Sequence, residues 1–451
     1  MRFRAPRRAA AVVGGAVVTV GCGLGVGGLG APGLDAGGYD ASMPADEAMA
    51  PVEAAPEAEA AIVDASPQDP ATTIETSGVS AGATGLAQQA HVFYATESAR
   101  WWLLWVDDTD PLELQAASSP DFVTWTTATP LSLPATLQEV GGDFSAAYAS
   151  IAGVDVVHVT LGLHFAAQDR RHYHVRATVS GAAILWGMPQ PLAAVTDPKL
   201  VDPDGPATVI TPDGHIWDST GWAQYLGTGN EVAWESTGTD LGTSWDGNFG
   251  LQQGIAMAAN TINARALFTV GTGASPVALW EVADQEPNPT NVAWSESGGF
   301  GWGMQADVFP AGKTQGADDW DAVLVSATDL RAVRRALDSS YDHASFDGTS
   351  WTAMTPPTSD PGLVETGVVT LSDGPRVAVV AIGSDAAQSV RMTEWDGVSW
   401  AAWKTLDGVP AGRSALSGWS TTGHAAVVWT QAVPGSTDGG SAVIAGMVVQ
   451  L

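Results

Sequence analysis

The sequence predicts an all-β fold, a single β-propeller of seven blades that follows an export signal and a disordered tether. From residue 89 onward, short alternating apolar runs are separated by clusters of Gly, Asp, Asn, Pro and Ser, which is the pattern of strands and turns. The runs also recur at a spacing of roughly 54 residues, as repeated structural units do. The composition agrees, because 52 Gly and 19 Trp residues favour turn-rich β structure over helices.

Each repeat contains four candidate strands. The first class of apolar strand begins at Trp102, Asp155, Asp213, Arg265, Ala322, Pro375 and His424. A second strand follows, beginning at Leu112, His172, Asn230, Pro276, Leu330, Ser389 and Ser441. A third element carries a tryptophan in six units, at Trp125, Trp186, Trp245, Trp294, Trp351 and Trp400. A run before the first strand, such as 91–96, 145–151 or 364–371, supplies the fourth, so each unit has the strand number of a propeller blade.

The last repeat has no tryptophan-bearing strand. Its second-class strand, 441–449, is followed only by two residues, Gln450 and Leu451. Stacked blades cover each other's faces, and a closed ring leaves no open end. The region 72–88 is therefore expected to supply the missing outer strand. Seven blades are predicted on this basis, and six is the alternative if the final piece joins the first blade.

The N-terminal residues predict a lipoprotein-type signal peptide over 1–21. A positively charged start is formed by Arg2, Arg4, Arg7 and Arg8. An apolar run over 9–20 follows, shorter than the about 20 residues that span a bilayer. The only cysteine, Cys22, ends the stretch Thr-Val-Gly-Cys, which resembles a bacterial lipobox with Thr where Leu is usual. Cys22 is the predicted lipid-attachment residue; a secreted protein with an incidental cysteine is the alternative.

The segment 22–88 predicts a disordered tether ahead of a propeller over 89–451. It is dominated by Ala, Gly, Pro and acidic residues, which bury too little apolar surface to offset chain entropy. The net charge of −31 repels phosphate backbones, so nucleic acid is not an expected partner. Membrane contact is expected only through the lipid anchor, on the bacterial cell surface or the periplasmic side, and the protein is expected to be a monomer.

The tryptophan strands carry a turn with an aspartate. Residues 238–245 resemble the Asp box, S/T-x-D-x-G-x-T-W, of sialidases and related BNR-repeat proteins, and three other turns are one residue shorter. The aspartate is predicted to accept backbone N–H bonds within the hairpin, with the tryptophan packed between neighbouring blades. The residues concerned are Asp121 with Trp125, Asp240 with Trp245, Asp347 with Trp351, and Asp396 with Trp400.

These resemblances imply two kinds of sugar chemistry. Sialidases use an arginine triad, a Tyr–Glu pair and an Asp acid, but no arginine here lies in their F/Y-R-I-P motif, so no catalytic residue is assigned. Residues 395–400, W-D-G-V-S-W, resemble a turn of fungal fucose-binding lectins, whose pockets use an Arg, a Glu and a Trp; Arg391, Glu394 and Trp400 supply those types. Arg176, Arg334 and Arg391 fall at similar places in their units, either as ligand-binding groups or as partners of acids in neighbouring blades.

No metal site is predicted, and no cofactor other than a weak candidate for Ca²⁺. Four histidines cluster in one unit, and strand histidines exposed to solvent are the simplest interpretation: His158, His164, His172 and His174. The acidic turns 107–110 and 202–205 offer oxygen ligands of the kind Ca²⁺ prefers, although plain turn chemistry is favoured. The predicted function is a non-enzymatic surface module that binds a glycan or a protein. The alternatives are a sialidase-like glycoside hydrolase and a structural envelope protein.

Overall fold

The computed structural model describes residues 71–451 except for 76–78, 80–82, 85–88, 107–112, 133–138, 166–168, 192–200, 212–215, 224–228, 236–261, 271–275, 283–289, 297–301, 310–319, 337–338, 360–366, 384–387, 408–412 and 434–441. All of them belong to one compact unit, Asp64–Leu451. Every regular element in the described ranges is a β-strand, and these ranges contain no helix with the length and apolarity needed to cross a membrane.

The first strand and three antiparallel sheets occupy the N-terminal half. Strand β1 is Thr72–Glu75. Sheet 1 is ordered β2 (Val92–Ala95), β3 (Arg100–Val106), β4 (Glu113–Ser119) and β5 (Thr126–Thr127), with β6 (Leu131–Ser132) also paired to β4. Sheet 2 is ordered β7 (Glu139–Ile151), β8 (Val154–Phe165), β9 (Asp169–Ser180) and β10 (Ala183–Trp186), with β11 (Gln190–Pro191) also paired to β9. Sheet 3 is ordered β12 (Val201–Ile210), β13 (Ile216–Ala223) and β14 (Gly229–Glu235).

Four further antiparallel sheets follow. Sheet 4 is ordered β15 (Ile262–Thr269), β16 (Pro276–Val282), β17 (Thr290–Glu296) and β18 (Trp302–Asp307). Sheet 5 is ordered β19 (Trp320–Ser326), β20 (Asp329–Arg335), β21 (Tyr341–Phe346) and β22 (Trp351–Met354). Sheet 6 is ordered β23 (Val368–Asp373), β24 (Arg376–Ile382), β25 (Val390–Trp395) and β26 (Lys404–Asp407). Sheet 7 is ordered β27 (Arg413–Thr421), β28 (His424–Ala432) and β29 (Ala442–Val448), with β1 as its fourth strand.

The first strand of each sheet lies next to first strands of neighbouring sheets. β2 contacts both β7 and β27, β12 contacts both β7 and β15, and β23 contacts both β19 and β27. The seven described sheets therefore surround a common axis, with their strands following one another outward from it. The protein is an all-β propeller, as the sequence predicts.

Sheet 7 is completed by the N-terminal strand. β1 runs antiparallel to β29, with Thr72 opposite Gly446 and Thr73 opposite Ala445. This is the outer position that the region 72–88 was expected to fill. Sheet 7 thus combines three C-terminal strands with β1, Thr72–Glu75. β1 lies within the segment 22–88 that was predicted to be a disordered tether, so that prediction is wrong for these four residues.

The predicted strand order is wrong in sheets 4 and 5. The apolar runs at Arg265 and Ala322 form β15 and β19, the innermost strands, rather than the second strands. Trp294 correspondingly lies in β17, the third strand of its sheet, and not in an outer strand. Innermost and second strands are both covered on two faces, so both are nearly continuous apolar runs that a local pattern does not distinguish.

The hydrophobic core is divided among the interfaces between sheets. Trp102 of β3 belongs to one cluster with Val157 of β8, and Met392 of β25 belongs to another with Trp429 of β28. A close approach of first strands requires glycine at Gly418, because a Cβ there would lie 2.4 Å from the Val369 side chain. The first strands of sheets 6 and 7 therefore pack tightly at this point.

Closure by β1 predicts that charge on its inward face destabilises the ring. Ile74 packs against the cluster shared by sheets 1 and 7, whereas its neighbour Thr73 is exposed. Ile74→Asp in the full chain should lower the free energy of unfolding by about 1–3 kcal/mol, since an unpaired carboxylate would enter an apolar cluster. Thr73→Asp, the matched control on the same strand, should leave thermal unfolding nearly unchanged. Equal effects of the two variants would contradict the pairing.

Candidate functional site

Three turns between third and fourth strands share one hydrogen-bonding geometry. In each, Oδ1 of an aspartate accepts the backbone N–H groups of the residues two and three positions later, at 2.7–2.9 Å. The aspartates are Asp121, Asp347 and Asp396. The amide three positions later is the main cause that lowers the pKa of Asp121 to about 2, and the same contact lowers the pKa of the other two carboxyls. These carboxylates are therefore engaged in holding their turns.

The residue after each of these aspartates has a positive φ angle. The angle is 92° at Gly348 and 101° at Gly397, where glycine adopts it without steric cost. It is 63° at Phe122, which is only 3% exposed. The Phe122 ring packs edge-on against Trp101 and Trp125, with centroid distances of 5.3 and 5.2 Å. Aromatic packing therefore holds Phe122 in a backbone conformation that glycine adopts elsewhere.

Two outer tryptophans are half-buried and bond the preceding sheet, and one of them, Trp400, follows an aspartate turn. Trp186 of sheet 2 donates its Nε1–H to the carbonyl of Thr129 in sheet 1, at 2.9 Å. Trp400 of sheet 6 donates in the same way to Thr355, after the last strand of sheet 5, at 2.8 Å. Both acceptors lie in a W-T-x-x-T-P stretch, 125–130 and 351–356. The sequence interpretation missed this repeat, although the repeated letters would have revealed it.

The interface between sheets 5 and 6, which we call seam 5/6, has an aromatic wall. His343 of β21 lies 5.3 Å from Trp400 and 5.6 Å from Trp395, measured between ring centroids. Its Nδ1 is 3.0 Å from the carbonyl oxygen of Thr355, the same oxygen that accepts the Trp400 indole N–H. Burial lowers the pKa of His343 to about 4, so the imidazole is neutral at physiological pH.

The face of sheet 5 that carries His343 into seam 5/6 also carries polar groups. Arg331 and Asp329 form a two-point ion pair, with Nε–Oδ1 at 2.6 Å and Nη2–Oδ2 at 2.7 Å, and the Ser345 hydroxyl donates to the same carboxylate at 3.1 Å. Ser345 lies directly opposite Arg331 and two residues from His343, so these side chains share one face of the sheet. Among described residues, Nη1 of Arg331 and Nε2 of His343 have no hydrogen-bond partner. The seam therefore places unused hydrogen-bonding groups beside an indole.

The four residues predicted to bind a ligand do not form one site. Arg334 is 1% exposed, bonds Asp342 at 2.8 Å within its own sheet, and stacks on Phe309 at 4.6 Å. It lies on the second strand, whereas Arg176 and Arg391 lie on third strands, so the predicted equivalence of the three arginines is wrong.

The lectin-like set in sheet 6 is also divided. Arg391 and Glu394 are three residues apart in a regularly paired strand, so their side chains point to opposite faces of the sheet. Arg391 shares its face with Trp395, which faces seam 5/6. Glu394 instead bonds Lys404 at 2.5 Å on the other face. Arg391 and Trp400 thus border the seam, and Glu394 does not.

The expectation of exposed strand histidines in sheet 2 is wrong for two of the four. His158 and His174 are fully buried, with Nδ1 of the first 3.0 Å from Nε2 of the second. His174 Nδ1 lies 2.9 Å from Oδ2 of Asp218 in sheet 3, which is also fully buried. Both contacts are hydrogen bonds when each Nδ1 donates, whereas Nε2 of His158 and Oδ1 of Asp218 have no partner among described residues. Burial, with neighbouring positive groups, lowers the pKa of His158 well below its usual range.

A cavity of about 230 Å³ lies on the axis. Its lining comes from the innermost strands and from the residue two positions before β2, and comprises Ala90, Ser145, Ala146, Ala207, Thr208, Phe268, Asp321, Ala322, Val323, Leu324, Thr370, Gly418, Trp419 and Ser420. Two side chains of the lining connect adjacent first strands. Ser145 of β7 accepts the Thr208 N–H of β12 at 3.3 Å, and Asp321 of β19 accepts the Thr370 N–H of β23 at 2.7 Å.

Asp321 is the only charged residue among the described residues of this lining. It is 6% exposed, and its carboxylate accepts the backbone N–H groups of Thr370 and Ala322. Burial raises the pKa of Asp321 well above its usual value, because desolvation outweighs these two bonds. The sequence interpretation did not single out this residue, which stands within an apolar run.

Several predicted positions lie outside the described residues. They are the lipid-attachment residue Cys22, the turn residues Asp240 and Trp245, and the acidic turn 107–110. For the acidic stretch 202–205 only the strand pairing of β12 is described. In the part of the chain that is described, no cluster of three or more His, Cys, Asp or Glu side chains is arranged to hold a metal ion.

Comparison with known proteins supports the fold. No protein-family model and no curated protein matches the chain. Among solved structures, the BP39L lectin from Burkholderia pseudomallei is 14% identical with a TM-score of 0.57, covering 80% of this chain and 96% of the lectin. The fucose-specific lectin from Aleuria aurantia is 13% identical with a TM-score of 0.40, covering 67% of this chain and 95% of the lectin.

An endo-arabinase from Bacteroides thetaiotaomicron is also similar, at 13% identity and a TM-score of 0.36, covering 64% of this chain and 98% of the enzyme. The likeness to the BP39L lectin supports the propeller fold and the resemblance to lectin propellers at the level of fold. The resemblance to sialidases and BNR-repeat proteins stays a prediction. Because one fold serves different functions, the site has to decide between them.

The buried titrating groups predict how stability changes with pH. Burial lowers the pKa of His91 to about 3, of His343 to about 4 and of His158 by a large amount. The unfolded chain therefore takes up these protons first, and stability should fall as the pH drops from about 6.5, by up to about 1.4 kcal/mol per pH unit for each histidine. Asp321 acts in the opposite direction, since its raised pKa costs stability as the pH rises above about 4.

Two variants separate these contributions in chemical denaturation between pH 5 and 7. His158→Gln should flatten the pH dependence, because one group that titrates only in the unfolded chain is removed. Asp321→Asn should steepen it, because the opposing group is removed. Parallel pH profiles for wild type and both variants would show that neither residue titrates as its burial requires.

Proposed function

We propose that the protein is a non-enzymatic glycan-binding propeller, with seam 5/6 as a sugar-binding site. One observation carries the proposal: half-buried Trp400 lies 5.3 Å from His343, which shares its sheet face with the Arg331–Asp329 ion pair. The buried atoms Nη1 of Arg331 and Nε2 of His343 have no partner among described residues. An indole face packs on the apolar face of a pyranose ring, and the polar atoms bind its hydroxyl groups. Ligand sites commonly combine an apolar wall with a few fixed polar groups in this way.

Solvent can reach the polar wall of seam 5/6. The side chains of Arg331 and Asp329 are 16% and 26% exposed. Half-buried tryptophans also stand at the corresponding place in three other described sheets, at Trp125, Trp186 and Trp351. The net charge of −31 repels anionic sugars. A neutral sugar is therefore the proposed ligand.

The glycosidase alternative receives no support from the axial cavity. Hydrolysis of a glycosidic bond usually employs two carboxyl groups about 5–10 Å apart. Asp321 is the only carboxyl among the described residues that line the cavity. It is also held by two backbone N–H groups of the inner strands, which gives it a structural role.

The proposed setting is the bacterial cell surface or the periplasmic side. A lipid on Cys22 would anchor the chain, and the Ala-, Pro- and acid-rich segment that follows would separate the propeller from the membrane. The proposal rests on the charge and apolar pattern of the first 22 residues. An anchored binding module needs a spacer of this kind to hold its propeller away from the membrane surface.

A glycan array followed by calorimetry tests the sugar-binding proposal. The protein should bind a neutral sugar saturably and release no product. Trp400→Ala and Arg331→Ala should each abolish binding at seam 5/6, or reduce the number of sites per chain by one if other seams also bind. The loss follows from removing the stacking surface in one variant and the hydrogen-bond donor in the other.

Val398→Ala is the matched control, because Val398 belongs to the same turn as Trp400 but is 81% exposed. It should bind as the wild type does. Thermal unfolding of all three variants checks that the sheets remain folded. Undiminished binding by folded Trp400→Ala and Arg331→Ala would exclude seam 5/6, and release of free sugar would favour the enzyme alternative.

Lipid attachment is tested by metabolic labelling of cells with an alkyne fatty acid. The wild-type protein should carry the label and sediment with membranes. Cys22→Ser should lose the label and appear in the soluble fraction, because the chain has no other cysteine. A variant that stays labelled, or a wild-type protein that never carries label, would contradict the anchor.

A further inference from the structure

The axial cavity has a chemistry different from that of the seams. Its lining contains one acid, Asp321, and two aromatic side chains, Phe268 and Trp419. It also contains two threonines, Thr208 and Thr370, that are 8% and 4% exposed and whose Oγ1 atoms have no hydrogen-bond partner among described residues. Buried hydroxyl groups without partners are rare in folded proteins, and they indicate a missing water or ligand.

The cavity is large enough for a small molecule. A single water needs about 10–15 Å³ of such space, and the cavity measures about 230 Å³. Part of its wall is reached by solvent, because Phe268, Trp419 and Ser420 are only partly buried. A ligand of several heavy atoms can therefore be accommodated between the first strands.

The polar groups select the charge of that ligand. The carboxylate of Asp321 is bonded only to backbone N–H groups, and no ion pair to it is found among the described residues. A buried carboxylate is stabilised by a cation, and aromatic faces add attraction for an ammonium group. An anion would be repelled. A bare metal ion would find one carboxylate and neutral hydroxyl groups, and no cluster of three metal-ligating side chains exists in the described ranges.

We propose that the axial cavity binds a small organic ammonium ion, with Asp321 as its counter-ion and Trp419 and Phe268 as its aromatic walls. The hydroxyl groups of Thr208 and Thr370 bind a polar substituent of the ligand. The site is distinct from the proposed sugar site, because the cavity lining includes none of Trp400, His343 and Arg331.

Binding of a cation at this site is coupled to a proton. Burial raises the pKa of Asp321, and a bound cation holds the carboxylate in its ionised form. The adjacent strand β20 carries four charged residues: Asp329 and Arg331, which pair with each other, Arg334, which pairs with Asp342, and Arg335. Arg335 lies two residues beyond Val333, which is opposite Asp321. Among described residues, the other elements around the cavity contribute no charged side chain to its lining. Affinity therefore increases with pH until Asp321 is ionised in the free protein.

Calorimetric titration of the purified full chain with choline tests the proposal. Its neutral carbon isostere, 3,3-dimethylbutan-1-ol, is the control ligand, since it has the same shape and hydroxyl group without the charge. Choline should bind at least about tenfold more tightly than the isostere. Its affinity should rise by up to about tenfold per pH unit below the pKa of Asp321, with release of up to one proton. Equal affinity for both ligands would show that the cavity selects shape rather than charge.

Asp321→Asn supplies the matched variant, because the amide oxygen can still accept the Thr370 N–H while the charge is lost. It should weaken choline binding at least about tenfold, to the level of the isostere. If this variant does not fold, the pH dependence and proton release of the wild type still decide the question. Absence of choline binding at every pH between 6 and 9 would overturn the proposal.

Trp400→Ala separates this site from the sugar site. It should retain full choline affinity even where sugar binding is lost, and Asp321→Asn should retain sugar binding. Loss of choline binding in folded Trp400→Ala would place the ammonium ion at the seam and overturn the axial assignment.

Discussion

Each sheet of this molecule has two apolar faces, and both must be covered by other sheets. β3 shows the constraint most clearly, since its residues from Trp101 to Val106 are all buried. Trp101, Leu103 and Trp105 belong to the cluster shared with sheet 7, whereas Trp102, Leu104 and Val106 belong to the cluster shared with sheet 2. One strand therefore contributes to two cores. A row of such sheets would leave an apolar face open at each end, so the ring must close, and β1 completes the sheet at which it closes.

The same constraint creates the places where ligands can bind. The interface between sheets 5 and 6 runs from first strands at the axis to fourth strands at the outside, and it borders the cavity at its inner end. At the outer end of seam 5/6, Asp329 keeps 26% of its side-chain surface exposed. Between sheets 2 and 3, by contrast, His174 and Asp218 are fully enclosed and bond each other. Polar groups at an open seam are available to a ligand, whereas polar groups at a closed seam hold two sheets together.

Much of the fold is predictable from the sequence because a repeat is a local signal. Three local patterns predict the propeller: the alternation of strands and turns, the spacing of the tryptophans and the aspartate turns. The incomplete last repeat predicts the outer strand from residues 72–88. The predicted strand order fails in sheets 4 and 5, because an innermost strand such as β19 is as apolar as a second strand. The division of Arg391 from Glu394 was predictable, since side chains alternate between the two faces of a strand and these residues are three positions apart.

The site residues are harder to predict because they meet only across sheets. Nothing near Asp329 in the sequence shows that Trp400 packs beside the histidine of the neighbouring strand, since that contact depends on how two repeats stack. Asp321 was missed for a related reason. Its neighbours Trp320 and Ala322 are apolar and buried, and only the arrangement of all seven first strands places its carboxyl in a cavity. Contacts between repeats are the information that a single repeat does not contain.

The net negative charge of the chain bears on which ligands either proposed site can bind. The chain has 18 Lys and Arg against 49 Asp and Glu. Three of its described cations are already paired with acids of their own sheets: Arg331 with Asp329, Arg334 with Asp342, and Lys404 with Glu394. Acids outnumber cations in the whole chain, so the net negative charge repels an anionic ligand. The two proposed ligands, a neutral sugar at the seam and an ammonium ion at the axis, are both compatible with this negative potential. The potential does not repel a neutral sugar, and it attracts an ammonium ion.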